Sequence, residues 1–189
     1  MQNQSQQGIL SPFLQNKRIS MIINILQNIK FKKILDYGCG DANLLKMLKS
    51  NIDYTGLDIN LKLINQNKKK FPNASFISKL KNQKFDVIVL SAVIEHVINP
   101  EKLLQQLKKN LLHKKSIIII TTPNKYFDIV HRLGAFFKFF SKDAADEHNV
   151  MFSKKDIYIY ANKTSYRVIK FKYFLFYANQ IAVLEQSKL

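Results

Sequence analysis

Short apolar runs alternate with stretches of helical periodicity along most of the chain. The apolar runs predict buried strands at 31–36, 53–58, 74–78, 85–90 and 117–122. Apolar residues at helical spacing predict helices at 13–29, 43–49, 61–70 and from 99 to about 112. Five strands alternating with helices imply a doubly wound α/β sheet that is mostly parallel, with helices on both faces.

The alternation stops after Pro123. The segment 126–140 carries more aromatic and aliphatic side chains than a helix with one buried face needs. Three interpretations stay open for it. It could be a lid over a binding site, it could be a helix that packs either on the sheet or in a dimer interface, or it could contact a membrane surface.

The last forty residues predict a closing unit. Ser153 followed by Asp156 is typical of the N-cap of a short helix, here reaching about Ala161. Runs rich in aromatic and branched residues at 166–177 and 180–185 predict an antiparallel hairpin that turns at Ala178-Asn179. With this hairpin the expected sheet has seven strands.

Length and composition indicate one globular domain. The chain has 189 residues, of which 47% are hydrophobic and 23% charged. Cys39 is the one cysteine, so the sequence predicts neither a disulfide framework nor a metal site. The polar N-terminus lacks the pattern of a signal peptide, and no apolar run reaches the ~20 residues of a membrane span. We expect a soluble, cytoplasmic protein.

The formal net charge of +17 suggests an anionic partner. Almost all of this charge is lysine, because arginine occurs at 18, 132 and 167 alone. The lysines are scattered, whereas readers of bases and phosphates favour the bidentate guanidinium group. A nucleic-acid substrate therefore stays open without being favoured, beside acidic lipids and phosphorylated sugars.

A glycine turn, Gly38-Cys39-Gly40, directly follows the first predicted strand and indicates a ligand site, although glycines there could also serve the turn alone. A dinucleotide site would need a third glycine where Asn43 stands, and Asp41 would face its phosphates. A cofactor without phosphates fits better. Asp58, at the end of the second strand, can accept both hydroxyls of a ribose.

Five stretches in this order and spacing resemble the class I S-adenosylmethionine-dependent methyltransferases, which have a Rossmann-like sheet. They are Asp36-Tyr37-Gly38-Cys39-Gly40-Asp41-Ala42, Gly56-Leu57-Asp58-Ile59, Phe85-Asp86-Val87-Ile88, Ile94-Glu95-His96-Val97 and Thr121-Thr122-Pro123-Asn124. Ala42 replaces the last glycine that is usual in the first motif. Since alanine adds one methyl group, we expect cofactor binding to survive.

The resemblance implies S-adenosylmethionine as cofactor and assigns its binding to Asp36, Gly38, Cys39, Gly40, Asp58, Ile59, Ser78, Ser91 and Ala92. Asp58 would hold the ribose and Ile59 the adenine. Ser78 lies where the family often has an acid, and Ser91 and Ala92 would border cofactor and acceptor. Asp36 is expected to order the loop through backbone hydrogen bonds.

Two histidines are candidates for a general base, which methyl transfer to a hydroxyl would benefit from. His96 follows the fourth strand at the expected mouth of the site, although it could instead cap or pack the next helix. His148 precedes Phe152-Ser153, as in small-molecule members of the family, but it could equally be a surface residue.

The sequence therefore predicts a methyltransferase acting on an oxygen or nitrogen of a small-molecule, lipid-linked or glycan-linked acceptor. A tRNA or rRNA methyltransferase and a non-catalytic cofactor-binding or partner-binding member of the fold are the alternatives. We expect one domain, divided into a polar tail (1–12), a leading helix (13–30), the cofactor-binding core (31–124), an aromatic lid or insertion (125–150) and a closing helix and hairpin (151–189). The oligomeric state is left open.

Overall fold

The computed structural model describes residues 10–127 and 151–187. Its helices are α1 (Leu10–Leu26), α2 (Leu61–Lys70), α3 (Pro100–Lys108) and α4 (Lys154–Lys163). Its strands are β1 (Lys33–Tyr37), β2 (Asp53–Leu57), β3 (Ser75–Ile77), β4 (Val87–Ser91), β5 (Ile117–Pro123), β6 (Tyr166–Phe174) and β7 (Asn179–Gln186). Single 3₁₀ turns occupy Leu45–Met47, Ile94–His96 and Lys125–Phe127.

The strands form one seven-stranded sheet in the order β3-β2-β1-β4-β5-β7-β6. Strands β1 to β5 are parallel, whereas β7 runs antiparallel to both β5 and β6. The predicted doubly wound sheet with a closing hairpin is confirmed. The strand order reverses between β1 and β4, and in open α/β sheets ligands bind at the carboxyl ends of the strands beside such a point.

Alternating side chains of the central strands build two separate cores. Val87 and Val89 of β4 pack with α1 and with Ile64 of α2 on one face of the sheet. Ile88 and Leu90 pack with α3 and α4 on the other. This period of two explains why the strand is apolar throughout, since both of its faces are covered by helices.

The prediction of a helix at 43–49 is wrong, since the regular structure in this segment is a single 3₁₀ turn, Leu45–Met47. Ala42 before it has a left-handed backbone (φ 53°) and Leu48 after it is extended, so too few residues remain for a regular helix. Leu44, Leu45 and Leu48 nevertheless pack in the core. Their apolar spacing correctly predicted that they are buried, but it incorrectly predicted a helix.

Three further boundaries differ from the predictions. Helix α1 begins at Leu10, inside the predicted polar tail, and ends at Leu26. Helix α3 ends at Lys108, which leaves the predicted buried residue Leu112 49% exposed. The hairpin turns at Leu175–Tyr177 rather than at Ala178-Asn179, because three residues without a turn signature adopt positive φ angles there.

The closing helix begins as predicted. Ser153 caps α4 in a capping box, in which its side chain and that of Asp156 each bond the other's backbone amide. The predicted aromatic segment 126–140 lies outside the described residues except for Tyr126 and Phe127. No helix in the described part of the chain is long and apolar enough to cross a membrane.

Candidate functional site

The glycine turn after β1 is tied to the end of β2 by backbone hydrogen bonds. The amides of Gly38 and Cys39 both donate to the Leu57 carbonyl, at 2.7 and 2.9 Å. Gly38 and Gly40 have φ angles of 75° and 49°, in the region that glycine adopts without strain. The turn therefore has a fixed shape at the carboxyl edge of the sheet.

The two glycines have different surroundings. A side chain at Gly38 would meet Val93 Cγ2 at 2.6 Å, so the loop that follows β4 packs directly against the turn. A side chain at Gly40 would meet no atom of the other described residues within 4 Å, its two chain neighbours apart. Gly40 therefore faces open space at the strand-order reversal, where the backbone can approach a ligand closely.

Asp58 holds the far side of the turn. Its Oδ2 accepts the Gly40 amide at 2.9 Å and its Oδ1 accepts the Asn60 amide at 2.9 Å. Each carboxylate oxygen has a further acceptor position, and the side chain is only half-buried. Asp58 can thus support the loop and still accept hydrogen bonds from a diol such as ribose.

Two loop contacts involve side chains to which the sequence assigned no part in the site. Asn67 of α2 is buried, and its Nδ2 donates to the Gly40 carbonyl at 2.6 Å. Asn43 Nδ2 donates to Gln15 Oε1 of α1 at 3.1 Å, which places the first half of the leading helix beside the turn. A polar residue one turn after the buried Ile64 was the available signal for Asn67.

Among the described residues, the Asp36 carboxylate accepts no hydrogen bond from the loop backbone, so the prediction that it orders the loop in this way is wrong. Its carboxylate is buried and accepts the hydroxyl of Tyr54 at 2.8 Å. The loop amides bond Leu57 and Asp58 instead. Burial raises the pKa of Asp36 to about 6, the Tyr54 hydrogen bond opposes this rise, and the charge of Asp58 adds to it.

We expect this buried carboxyl group to make stability fall as the pH rises. The folded pKa of about 6 lies above the reference value of 3.8, so between the two the folded chain holds a proton that the unfolded chain has released. The free energy of unfolding of the wild type should therefore fall between about pH 4 and pH 7, whereas that of Asp36→Asn should not. Over this pH range the difference between the two proteins should shift by about 2 kcal/mol in favour of Asp36→Asn. Urea unfolding of both proteins at each pH measures this, and an unchanged difference would contradict it.

Cys39 has a structural position within the turn. Burial, with the charges of Asp36 and Asp58, raises the pKa of its thiol to about 12, so the thiol is neutral at physiological pH. The same sulfur lies 2.9 Å from the point where a side chain at Gly56 would begin. Cys39 therefore packs behind the turn against β2, and its predicted part in cofactor binding reduces to its backbone.

The predicted adenine side of the site lies after β2 and β3. Ile59 follows Asp58 and is 90% exposed, which leaves its side chain available to cover a ring. The Asp58 amide donates to the Ile77 carbonyl at 3.2 Å, which joins this loop to β3 just before Ser78. Ser78 is half-buried and brings a hydroxyl group, not the carboxylate usual in the family.

Ser91 and Ala92 lie at the end of β4, next to the glycine turn. Ala92 has a φ of 55°, and its amide donates to the Thr121 carbonyl of β5 at 2.9 Å. Thr121 Oγ1 lies 3.4 Å from Ser91 Oγ. The left-handed Ala92 redirects the chain from β4 into the turn that carries Glu95 and His96.

Glu95 and His96 face opposite ways. His96 is exposed, whereas Glu95 is 1% exposed, and neither of its carboxylate oxygens has a well-formed hydrogen bond among the described residues. Burial raises the pKa of Glu95, and the nearby Arg18 and His96 partly offset the shift. Arg18 of α1 also donates through Nε to Asn179 Oδ1 at 3.0 Å. The second candidate base, His148, lies outside the described residues.

The donor set of the site fits S-adenosylmethionine. In a chain of net charge +17, the turn and its surroundings present three carboxylates, on Asp36, Asp41 and Asp58. Such a site repels a pyrophosphate and suits a cofactor that carries a sulfonium and an ammonium group. Gly40 supplies the open backbone approach. No cluster of residues that could hold a metal ion occurs in the described ranges 10–127 and 151–187.

Residues 13–170, most of the chain, match the sequence model of a protein family described as methyltransferase domain. A curated relative is the ubiquinone/menaquinone biosynthesis C-methyltransferase UbiE of Campylobacter jejuni, 29% identical over 102 residues. This alignment spans 47% of the present chain and 43% of the relative.

Solved methyltransferase structures share the fold. An S-adenosylmethionine-dependent methyltransferase from Clostridium acetobutylicum is 15% identical, with a TM-score of 0.70 and 92% of each chain covered. Magnesium protoporphyrin IX methyltransferase from Synechocystis, solved with bound SAH, is 13% identical, with a TM-score of 0.69, over 98% of this chain and 90% of its own. The small RNA methyltransferase HEN1 is 18% identical, with a TM-score of 0.75, over all of this chain and 27% of its own.

Proposed function

Because this chain belongs to the methyltransferase-domain family and is an S-adenosylmethionine-dependent methyltransferase, we propose that it methylates a small-molecule, lipid-linked or glycan-linked acceptor at oxygen or nitrogen. The observation that supports this proposal most directly is the contact between two loops at the point where the strand order reverses. Val93, after β4, closes over Gly38, while Gly40 stays open beside Asp58. A cofactor held at Gly40 would thus lie next to the β4 loop, which carries Ser91 and His96.

The bound cofactor supplies a methyl group already activated as a sulfonium. Gly38, Gly40 and Asp58 are the proposed holders of its amino-acid part and ribose, and Ile59 of its adenine. Since the leaving group is activated, the protein mainly has to align the acceptor with the methyl group and exclude water. Ser91 and Ala92 are placed to border the acceptor.

A general base completes the proposal. His96 is exposed at the end of the turn that follows β4, and imidazole is the side chain best suited to exchange a proton near neutral pH. His96 would take the proton of an acceptor hydroxyl or amine as the methyl group is transferred. His148 stays a second candidate from the sequence alone.

The small-molecule class is supported by two observations. The C. jejuni relative is named for quinone biosynthesis, and its name specifies carbon as acceptor atom, so carbon should be tested beside oxygen and nitrogen. Strand β4 continues into Leu90-Ser91-Ala92-Val93, without an Asn-Pro-Pro-Tyr type motif that could grip a flipped base. A nucleic-acid acceptor is the second candidate, because the net charge is +17 and HEN1 shares the fold.

The acceptor class can be tested with tritiated S-adenosylmethionine. Purified protein is incubated with total RNA, an aqueous metabolite extract and a lipid extract, and the label is followed into each fraction. The proposal expects label in a metabolite or lipid fraction, with a mass increase of one methylene group in the product. Label in RNA alone would contradict it, and label in no fraction would favour a non-catalytic member.

We expect His96→Gln to reduce kcat about 100-fold while cofactor affinity stays unchanged, because a positioned base contributes at least this factor. Glutamine keeps a polar group of similar size but cannot take up a proton. The measurement is kcat with the acceptor found above, beside a calorimetric titration with the cofactor. His113→Gln is the matched control, since His113 pairs with Asp86, at the amino-terminal end of β4. Unchanged kcat in His96→Gln would remove His96 from the mechanism.

A further inference from the structure

The turn between β6 and β7, here called the hairpin tip, consists of Leu175, Phe176 and Tyr177. All three have left-handed backbones, with φ angles of 52°, 51° and 67°. An L-residue in this conformation is strained, and glycine or asparagine would relieve the strain. The chain nevertheless places large apolar and aromatic residues at all three positions.

The hairpin tip has a fixed conformation. The Ala178 amide closes it by donating to the Leu175 carbonyl at 2.9 Å. Asn124, after β5, donates through Nδ2 to the Tyr177 carbonyl at 3.0 Å, and its amide donates to the Ala178 carbonyl at 2.9 Å. The strained turn is therefore held from both sides.

The hairpin tip presents aromatic rings to solvent. Phe176 is 93% exposed, Tyr177 is 66% exposed, and the neighbouring Tyr126 is 67% exposed. A phenylalanine almost wholly in water, on a backbone that disfavours it, contributes nothing to the core. Such an outlier at a surface indicates a function for the side chain.

Behind the tip the aromatic side chains pack on one another along the edge strand β6. Ring centroids are 5.0 Å apart for Tyr173 and Tyr177, 4.9 Å for Phe171 and Tyr173, and 6.2 Å for Tyr158 and Phe171. Lys154 lies over the rings of both Tyr158 and Phe171. A strip that stacks nucleic-acid bases needs free ring faces, whereas each of these four rings contacts a neighbouring ring and two of them also contact Lys154.

The surface around the hairpin tip is positively charged. Six lysines lie in the described segments that flank it, namely Lys125, Lys154, Lys155, Lys163, Lys170 and Lys172, and of these Lys163 is paired with Glu101. In those segments, 123–126, 151–163 and 166–179, the one acid is Asp156. Its carboxylate already accepts the Ser153 amide and hydroxyl at 2.8 and 2.7 Å. Apolar and aromatic tips surrounded by lysines complement an anionic membrane surface.

The hairpin tip also lies at the cofactor edge of the sheet. Phe174 pairs with Asn179, which pairs with Pro123 at the carboxyl end of β5. The glycine turn follows β1 at the same end of the parallel strands. A surface that receives the tip would therefore face the edge of the sheet where the cofactor is held.

We propose that the hairpin tip docks the enzyme on anionic lipid bilayers. Phe176 and Tyr177 enter the headgroup region, and the flanking lysines contact lipid phosphates and carboxylates. Docking brings the cofactor edge towards the bilayer and does not depend on which acceptor is methylated.

Co-sedimentation with vesicles tests the docking. With the full chain we expect binding to phosphatidylcholine vesicles that contain phosphatidylserine, and at most weak binding to phosphatidylcholine alone. Phe176→Asn should weaken binding about 10-fold, because one aromatic side chain no longer enters the interface. Its melting temperature should hold or rise, since asparagine tolerates the left-handed backbone.

Two further variants separate the apolar from the charged contribution. Leu112→Asn is the matched control, because Leu112 is 49% exposed and its backbone pairs with Phe85 near the opposite end of the sheet. It should leave binding unchanged. The double variant Lys170→Gln/Lys172→Gln should weaken binding to anionic vesicles about 30-fold, which corresponds to roughly 1 kcal/mol per lysine.

Three results would overturn the proposal. The first is no binding to anionic vesicles by the folded wild type. The second is equal loss of binding in Phe176→Asn and Leu112→Asn. The third is binding of single-stranded RNA that Phe176→Asn weakens while vesicle binding stays unaffected, which would assign the tip to nucleic acid.

Discussion

Asp58→Ala is expected to weaken S-adenosylmethionine binding about 1000-fold, because two charge-assisted hydrogen bonds to ribose contribute roughly 4 kcal/mol together. The same change releases the Gly40 and Asn60 amides, which Asp58 holds at 2.9 Å each. Isothermal titration calorimetry with the cofactor measures the loss. Indifference to this substitution would contradict the assigned site.

Asp53→Ala is the matched control for this experiment. Asp53 is the first residue of β2, the strand that leads to Asp58, and its side chain is exposed. Its ion pair with Lys33, at 3.9 Å, lies in water and contributes little. We expect wild-type affinity from Asp53→Ala. Asp58→Asn keeps one acceptor oxygen and should have an intermediate affinity, which separates ribose recognition from a collapse of the loop.

Gly40→Asn is expected to weaken cofactor binding by about 1000-fold while the fold survives. A side chain at Gly40 would meet none of the described residues beyond its chain neighbours within 4 Å, so it would enter the space proposed for the cofactor. Displacing about four cofactor atoms at roughly 1 kcal/mol each accounts for this factor. Asparagine is chosen because it tolerates the φ of 49° better than other side chains do.

Ser165→Asn controls for the backbone effect of that change. Ser165 is exposed, has a φ of 58° and lies between α4 and β6. Both variants should melt within a few degrees of the wild type, and only Gly40→Asn should lose cofactor binding by calorimetry. A Gly40→Asn protein that binds normally would place the cofactor elsewhere. Gly40→Asn could unfold while Ser165→Asn does not. In that case Gly40→Ala is used, and the rise in melting temperature that the cofactor produces is measured instead of binding by calorimetry. A rise equal to that of the wild type would also place the cofactor elsewhere.

Local sequence patterns located the strands and the cofactor turn well. The continuous apolar run of β4 predicted a strand buried on both faces. The Gly-x-Gly after β1 predicted a sharp bend of the backbone. Both signals are carried by neighbouring residues. The methyltransferase-domain family that they indicated is confirmed by the sequence model that matches residues 13–170, and the predicted fold is confirmed by the strand order.

Contacts between distant segments could not be derived in the same way. Asn67 reaches the Gly40 carbonyl across 27 residues, and Tyr54 reaches Asp36 across 18. The partner of Asp36 was misassigned for this reason, because a buried acid near the end of a strand has the same local pattern whichever donor faces it. The 43–49 segment failed differently, since three leucines packed in the core at helical spacing without forming a helix.

The sequence by itself determined the strand pattern, the glycine turn and the acid at the end of β2, because each depends on residue types at fixed local spacing. Only the tertiary structure decided that Gly40 faces open space, that Glu95 is buried while His96 is exposed, and that the hairpin turns on three strained residues. These features depend on which residues, distant in sequence, pack against each segment. Packing fixes that choice, and no local pattern encodes it.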